Sequence, residues 1–377
     1  MTSNRTDIGI FSLFAGIGFL DLGFEMNGVA IDFVNELDPA LLSGYKHSRE
    51  KLKLASPAFG YYEGDMNNLL KKDARQFADL VTKAKTQHKF VGFIGGSPCP
   101  DFSEAGKNKG SRGKNGKLTK SFANLICEHQ PNFFLFENVK GLWRTAKHKR
   151  YFEKLKKRFS DAGYVLTEKL INAMEYGAPQ DRERIILLGF RKDLIEKLGY
   201  EYNPETMHLS TNAFPWEHMI RFEKKGSMKK PWPKACPFNA YRGTPPPKGI
   251  IKELTVEYWF KKNAVREHPN AKHCFAPKNM IRFSSIEEGD VSKKSFKRLH
   301  RWRFSPTACY GNNEVHLHPY EPRRISVAEA LAIQSLPRQF SLPDTMTLSQ
   351  MFKAVGNGVP YLASHGLAGS IKNFLRA

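Results

Sequence analysis

The chain is poor in several features that would narrow its function quickly. No apolar run approaches the ~18–20 residues of a membrane helix, which argues against a membrane span. The opening residues MTSNRTD hold no apolar stretch, so they do not read as a signal peptide. Cysteine is scarce: five residues, at 99, 127, 236, 274 and 309, form an odd, scattered set without a Cys-x-x-Cys pair. That pattern argues against a disulfide framework and a structural zinc site, and suits reduced thiols in a cytoplasm. Neither the dinucleotide pattern GxGxxG nor the glycine-lysine phosphate loop occurs, so dinucleotide or ATP use is not favoured. Acidic side chains are also few, 37 against 59 lysines and arginines, leaving a net charge of +22 over 377 residues. The surplus points to a polyanionic partner, and 12% aromatic residues place it on a folded body and not on a basic tail.

The first half alternates strand-like and helix-like stretches. Residues 8–14 are a continuous apolar run ending in the glycine turn FAGIG at 14–18. Residues 19–27 have helical spacing and stop at Gly28; 30–35 read as a second strand, followed by Glu36 and Asp38. Residues 90–94, 132–136 and 184–190 read as further buried strands, and 151–162 as a basic amphipathic helix stopped by Gly163. This alternation predicts an α/β fold with a mostly parallel sheet covered on both faces. Past residue 200 prolines, aromatics and lysines accumulate, with short β-like pieces expected at 254–260 and 280–284. Helical character returns at 326–335 and 350–374. The length suits two domains, a larger one over 1–200 completed by 340–377 and a smaller, irregular or β-rich one over 201–339.

Four short segments carry chemistry. A glycine turn after a first strand lets a ligand approach the backbone. Glu36, ending the second strand, is placed for ribose hydroxyls, and Asp65 in EGDM for an exocyclic amine. Cys99 lies in GGSPCPDFS, straight after the run 90–94, with a proline on each side that keeps it out of a helix. A lone cysteine is ordinarily a small apolar residue at a turn; here ENV at 137–139 adds an acid-amide pair after a further strand, and QDRER at 180–184 adds a pair of arginines in a charged turn before another.

In that order, FAGIG, the Cys99 loop, ENV and QDRER resemble the DNA cytosine-5 methyltransferases of bacterial type. RRISVAEALAIQSLP at 323–337 and VGNGVP at 355–360 are similar to the family's last two blocks. The resemblance implies a Rossmann-like S-adenosylmethionine-dependent sheet with a smaller target-recognition domain, and methyl transfer to C5 of a cytosine flipped out of a specific duplex. It assigns Phe14, Gly16, Ile17, Gly18, Glu36, Leu37, Asp65, Met66, Pro98, Leu118, Asn357 and Val359 to the cofactor. Cys99 becomes the nucleophile at C6, Glu137 the acid at N3 and Arg184 the partner of O2, with Arg182 supporting the geometry. Ser103, Lys297, Arg298, Arg301, Arg303 and Thr307 are expected on DNA, and 104–117 as a mobile loop closing over it. The chain departs from the family's usual pattern at Phe19, Leu37, Pro100 and Ala308. No metal is implied. Double-stranded DNA is the expected partner of a monomer working in the cytoplasm, and a cognate restriction endonuclease can accompany it. A tRNA cytosine-5 methyltransferase and a non-catalytic DNA-binding regulator stay open as alternatives; the proline-rich second domain favours DNA, and the intact Cys99, Glu137 and Arg184 favour catalysis.

Overall fold

A computed structural model describes residues 7–97, 114–239, 243–276, 280–293, 295–308, 310 and 315–376. Pro98, Cys99 and Ser103, and most of the stretch expected as a mobile loop, lie outside the described residues. The strands are β1 (Ile8–Leu13), β2 (Ala30–Glu36), β3 (Tyr61–Glu63), β4 (Phe90–Gly96), β5 (Phe133–Val139), β6 (Tyr164–Asn172), β7 (Glu183–Arg191), β8 (Tyr202–Asn203) and β9 (His208–Leu209). Among them run α1 (Phe19–Glu25), α2 (Pro39–Leu52), α3 (Ala74–Gln87), α4 (Lys114–His129), α5 (Gly141–Arg144), α6 (Ala146–Asp161) and α7 (Lys192–Leu198). Then come α8 (Lys224–Met228), α9 (Val256–Lys262), α10 (Met280–Ser284), α11 (Val327–Ile333), α12 (Leu348–Asn357) and α13 (Tyr361–Leu375).

One nine-stranded sheet organises the fold, in the order β3-β2-β1-β4-β5-β7-β6-β9-β8. β3, β2, β1, β4 and β5 are parallel neighbours, and β7 runs antiparallel to both β5 and β6. Parallel strands need crossovers, and α1, α2, α3 and α4 supply them. The strands are apolar throughout because both faces are covered. One face packs Ile8, Ile10, Val34, Phe133, Leu135 and Ile186 against Leu367, Ile371 and Phe374 of α13. The other packs Phe11, Phe33, Phe93, Phe134 and Phe136 against α3, α4 and α6.

A further core joins Ile17, Phe19 and Leu22, around the first turn of α1, to Trp259, Phe260, Leu299, Ala308 and Tyr310 and to α11 and α12. Residues from the irregular stretch are therefore built onto the glycine turn. β8 and β9 extend the main sheet, and Phe214 packs on Phe190 and Phe374.

Two expectations are corrected. Residues 254–260 and 280–284 are not strand-like: α9 and α10 occupy them. In α9, Val256, Trp259 and Phe260 fall on one helical face, and the Thr255 hydroxyl caps the start by accepting from Tyr258 N. Aromatic and β-branched content alone suggested a strand. Among the described residues, 210–322 is also irregular and not β-rich, with isolated bridges such as Cys236–Glu288 and Arg298–Leu317. The C-terminal helical stretch is two helices, divided at Gly358–Pro360, where proline cannot continue the first. No described helix is long and apolar enough to cross a membrane.

Phe11 is the hub of the second face, with ring centroids 5.3–5.9 Å from Phe33, Phe59, Phe77 and Phe93. Phe11→Ala is expected to destabilise the fold by about 3–5 kcal/mol, since four rings cannot collapse into the vacated volume. Urea unfolding should show the lower midpoint with an unchanged slope.

Candidate active site

The sheet order reverses direction at β1, whose neighbours are β2 on one side and β4 on the other. Crevices outside the carboxyl ends of such strands are where open α/β sheets bind ligands. The chain leaves β1 through a turn in which Phe14, Gly16 and Gly18 all have positive φ, at 57°, 58° and 78°. An added Cβ on Gly16 would meet nothing within 4 Å, so that glycine faces open space. Gly18 is different: an added Cβ would lie 2.5 Å from both Arg49 and Tyr45.

Glu36, at the end of β2, ties this turn to the next. Its Oε2 accepts from Gly16 N at 2.8 Å, and its Oε1 accepts from Leu37 N and Asp38 N at 2.9 Å each. Oε2 keeps acceptor capacity for one more donor. Beside it, Leu37 is 59% exposed, an apolar side chain standing at the rim of the crevice. Asp65, after β3, is exposed and caps a short 3-10 turn by accepting from Asn67 N at 2.9 Å; Met66 behind it is buried in the sheet's core. Leu118 lies half-buried on α4, and the ring of Phe14 meets Phe122 of that helix at 6.2 Å. Asn357 is exposed at the end of α12, while Val359 is buried. A side chain on Gly358 would collide with the ring of Phe19, so VGNGVP lies directly on the start of α1.

A second set gathers at the ends of β4, β5 and β7. Glu137 is buried, and its Oε1 lies 2.9 Å from Nε of Arg184. Register places Glu137 beside Gly96, where any Cβ would strike the carboxylate. Arg184 is oriented in turn by donating from Nη1 to the Glu183 carbonyl at 2.8 Å. Asn138 donates to Ser97 Oγ at 3.3 Å, and Ser97 is 2.8 Å from the Thr119 hydroxyl, so β4, β5 and α4 are joined just before the Cys99 loop. Arg182 points the other way. It is buried, donating to the carbonyls of Ala308 at 3.0 Å and Gly356 at 2.9 Å. Gln180 accepts from Ala308 N at 3.0 Å, and Thr307 donates to the Asp181 carbonyl at 2.6 Å. Arg182 therefore organises the site without facing it.

The chain matches the family model for C-5 cytosine-specific DNA methylase over residues 8–373. It belongs to that family. It is 54% identical over 368 residues to the Type II methyltransferase M.NmeDI of Neisseria meningitidis serogroup C, covering 97% of this chain and 84% of that one. It is 29% identical to M.FnuDI of Fusobacterium nucleatum, covering 97% and 94%. Among solved structures it resembles a DNA modification methyltransferase encoded within an E. coli prophage, with a TM-score of 0.66, 22% identity, and 98% and 100% coverage. It also resembles the S. pombe Dnmt2 methyltransferase, with a TM-score of 0.61, 12% identity, and 97% and 98% coverage. At those identities the structures speak for the fold alone.

For a DNA cytosine-5 methyltransferase the expected phosphate contacts need correcting. Arg298 is fully buried, donating to the carbonyls of Ile286 at 2.9 Å and Glu321 at 3.1 Å and to those of Phe283 and His318. Burial lowers its pKa to about 10. Arg301 is buried against Glu288, with N–O distances of 2.7 and 2.8 Å. Neither guanidinium can reach a phosphate without dismantling its surroundings, and the alternating basic and aromatic spacing could not tell inward from outward in an irregular segment. Lys297, Arg303 and Thr307 are partly exposed.

A basic surface that sequence reading missed lies next door. A groove of about 560 Å³ is lined by Pro246, Lys252, Tyr258, Lys261, Lys262 and Trp302. The Lys261 ammonium stands 5.6 Å from the Trp302 ring, and that of Lys262 4.3 Å from Trp259. Glu257 is the acid partner of Lys261, at 3.2 Å. The doublet Lys261–Lys262, close behind the aromatic run Tyr258–Phe260, was the available signal.

Arg298→Ala is expected to lower thermal stability markedly, since each buried carbonyl left without a donor costs roughly 1–3 kcal/mol. The salt dependence of DNA binding by the folded variant should match that of the parent, which calorimetry and binding titrations would check.

Proposed function

We propose that this enzyme transfers the methyl group of S-adenosylmethionine to C5 of a cytosine flipped out of a specific duplex sequence, through a covalent bond between Cys99 and C6. The observation that supports this most directly is the buried Glu137–Arg184 pair, set at the strand ends beside Gly96, the last residue of β4 and three before Cys99 in the chain. Residues 201–339 are proposed as the target-recognition part. The Type II names of the relatives support a role as the modification half of a restriction system, alongside a cognate endonuclease. Action as a cytoplasmic monomer belongs to the same reading.

The residues around the glycine turn fit the cofactor. Open space in front of Gly16 admits a ligand against the backbone, Glu36 Oε2 retains room for a ribose hydroxyl, and exposed Leu37 offers an apolar edge for a purine. Phe14, Ile17, Gly18, Asp65, Met66, Pro98, Leu118, Asn357 and Val359 complete the proposed lining. Bound S-adenosylmethionine supplies an electrophilic methyl group.

The protein's own contribution is to make C5 nucleophilic. The Cys99 thiolate forms a bond to C6, pushing an electron pair into the ring. Glu137 serves as the hydrogen-bonding acid at N3, where that charge develops, and Arg184 neutralises O2. After C5 gains the methyl group, loss of the C5 proton and departure of the thiolate restore the ring. The target must leave the stack to be reached at all.

Bisulfite sequencing of DNA from cells expressing the chain should show 5-methylcytosine at one recurring sequence; labelled methyl entering RNA but not DNA would replace this reading with the RNA one. Cys99→Ser should abolish turnover while cofactor and duplex still bind, because a hydroxyl is scarcely ionised at neutral pH. Wild-type rates in that variant, measured by tritium transfer, would remove the thiolate from the mechanism.

The lysine groove is proposed to hold the duplex backbone together with Lys297 and Arg303. Replacing Lys252, Lys261 and Lys262 by glutamine should weaken binding to all duplexes alike. The slope of log affinity against log salt should flatten by about 0.9 for each phosphate that the variant no longer neutralises, with site preference retained. An unchanged slope in titrations from low to high salt would take DNA away from this groove.

A further inference from the structure

We infer that Arg49, buried in α2 beneath the glycine turn, is a positioning residue for the methyl donor. The inference rests on the proposed cofactor site and adds to it a residue that never faces the ligand.

Arg49 is 2% exposed, and all five of its N–H groups are engaged. Nη2 donates to the Gly18 carbonyl at 2.7 Å and Nη1 to the Ile17 carbonyl at 3.2 Å, two consecutive peptides of the turn. Nη2 and Nε also reach Glu25, at 2.7 and 3.3 Å, and Nη1 reaches Ser48 Oγ at 3.3 Å. The guanidinium lies 4.0 Å from the Tyr45 ring. One side chain of α2 thus grips the turn at Ile17–Gly18 and the last residue of α1 together.

The start of α2 forms the other half of the same crevice. Asp38 caps it, accepting from Ala40 N at 3.0 Å, and Glu36 just before it accepts from Gly16. The turn is therefore clamped to the second strand and helix at two points, Glu36 from the crevice side and Arg49 from below. Nearby, the Asp21 carboxyl accepts from Ser12 Oγ of β1 at 2.7 Å; burial raises its pKa to about 6, against the lowering pull of Arg49.

The choice of arginine is informative. A residue needed only to fill space would be apolar, avoiding the cost of burying a charge. A lysine would keep the charge, but a single ammonium cannot span two carbonyls and a carboxylate in one plane. Gly18 has become obligatory in turn: its positive φ and the nearness of Arg49 and Tyr45 both exclude a side chain.

The test is Arg49→Lys in the full-length enzyme. Readouts are calorimetric binding of S-adenosylmethionine, gel retardation of duplex DNA, and steady-state methyl transfer. The expected result is a cofactor Kd and KM raised about tenfold, with kcat at saturating cofactor within about twofold of the parent and duplex affinity unchanged. An unchanged cofactor Kd would overturn the assignment, as would a parallel fall in kcat and duplex affinity, which a merely structural residue would produce. Should Arg49→Lys not fold, Glu25→Gln keeps the arginine and removes its anchor; it should raise the cofactor Kd about threefold, and no change there would likewise overturn it. A parent enzyme that binds duplex but no S-adenosylmethionine would instead overturn the cofactor reading.

Discussion

The buried guanidinium of Arg182 is the interaction on which the site's assembly depends. Burying an arginine is costly unless its donors find acceptors, and here Nη1 and Nη2 donate to the carbonyls of Ala308 and Gly356, 126 and 174 residues further along the chain. Through this one side chain the QDRER arm, the returning segment around Thr307 and the C-terminal VGNGVP block are held in a single arrangement. Gln180 repeats the connection by joining Ala308 to Gln334. Arg184, two residues on, reaches Glu137 instead. Arg182 lies just before β7 begins, so the period of two that governs side-chain direction along a strand does not bind it to the face of Arg184. An organising arginine and a proposed catalytic one thus stand two residues apart and serve different partners.

Around that junction the sheet works as a rigid frame. Its parallel half aligns the carboxyl ends of β1, β2 and β4, so the glycine turn, Glu36 and the Cys99 loop begin from neighbouring positions. β7 runs antiparallel, which brings the start of that strand, with Arg184, to the end of β5, where Glu137 sits. Short distances at the site follow from strand polarity more than from any local motif. Gly96 then allows the Glu137 carboxylate to lie flat against β4.

The charge surplus divides in two. Some cations are internal fasteners, as Arg49, Arg182, Arg298 and Arg301 are, each engaged by carbonyls or a buried carboxylate. Lys140 and Lys224 both pair with Glu183, tying α8 to the strand that carries Arg184. Others stay outside, including the lysines of the Tyr258–Trp302 groove. Arginine predominates inside because its planar fork satisfies several acceptors at once; lysine keeps to the surface, where its ammonium remains hydrated.

The alternation of apolar runs with helical stretches was enough to establish the α/β class and most strand positions in the first half, and six short blocks carried the resemblance to the family. Those features are local: period, glycine and proline placement, and spacing along the chain carry them. The helical stretch expected from residue 326 was likewise readable, and α11 begins there, with Ser326 and Glu329 capping each other. The sequence alone could not say that 254–260 is a helix, because its aromatic content suits either structure. It could not sort the cluster 293–303 into inward and outward cations, since an irregular segment has no period to fix direction. The grip of Arg49 on the glycine turn was not visible in it, because Ile17, Gly18 and Glu25 are distant along the chain, and the Lys261–Lys262 doublet did not by itself reveal that Trp302 closes a groove beside it. Local order was written in residue type and spacing; tertiary structure decided which charges were buried, because burial depends on what the rest of the chain packs against each of them.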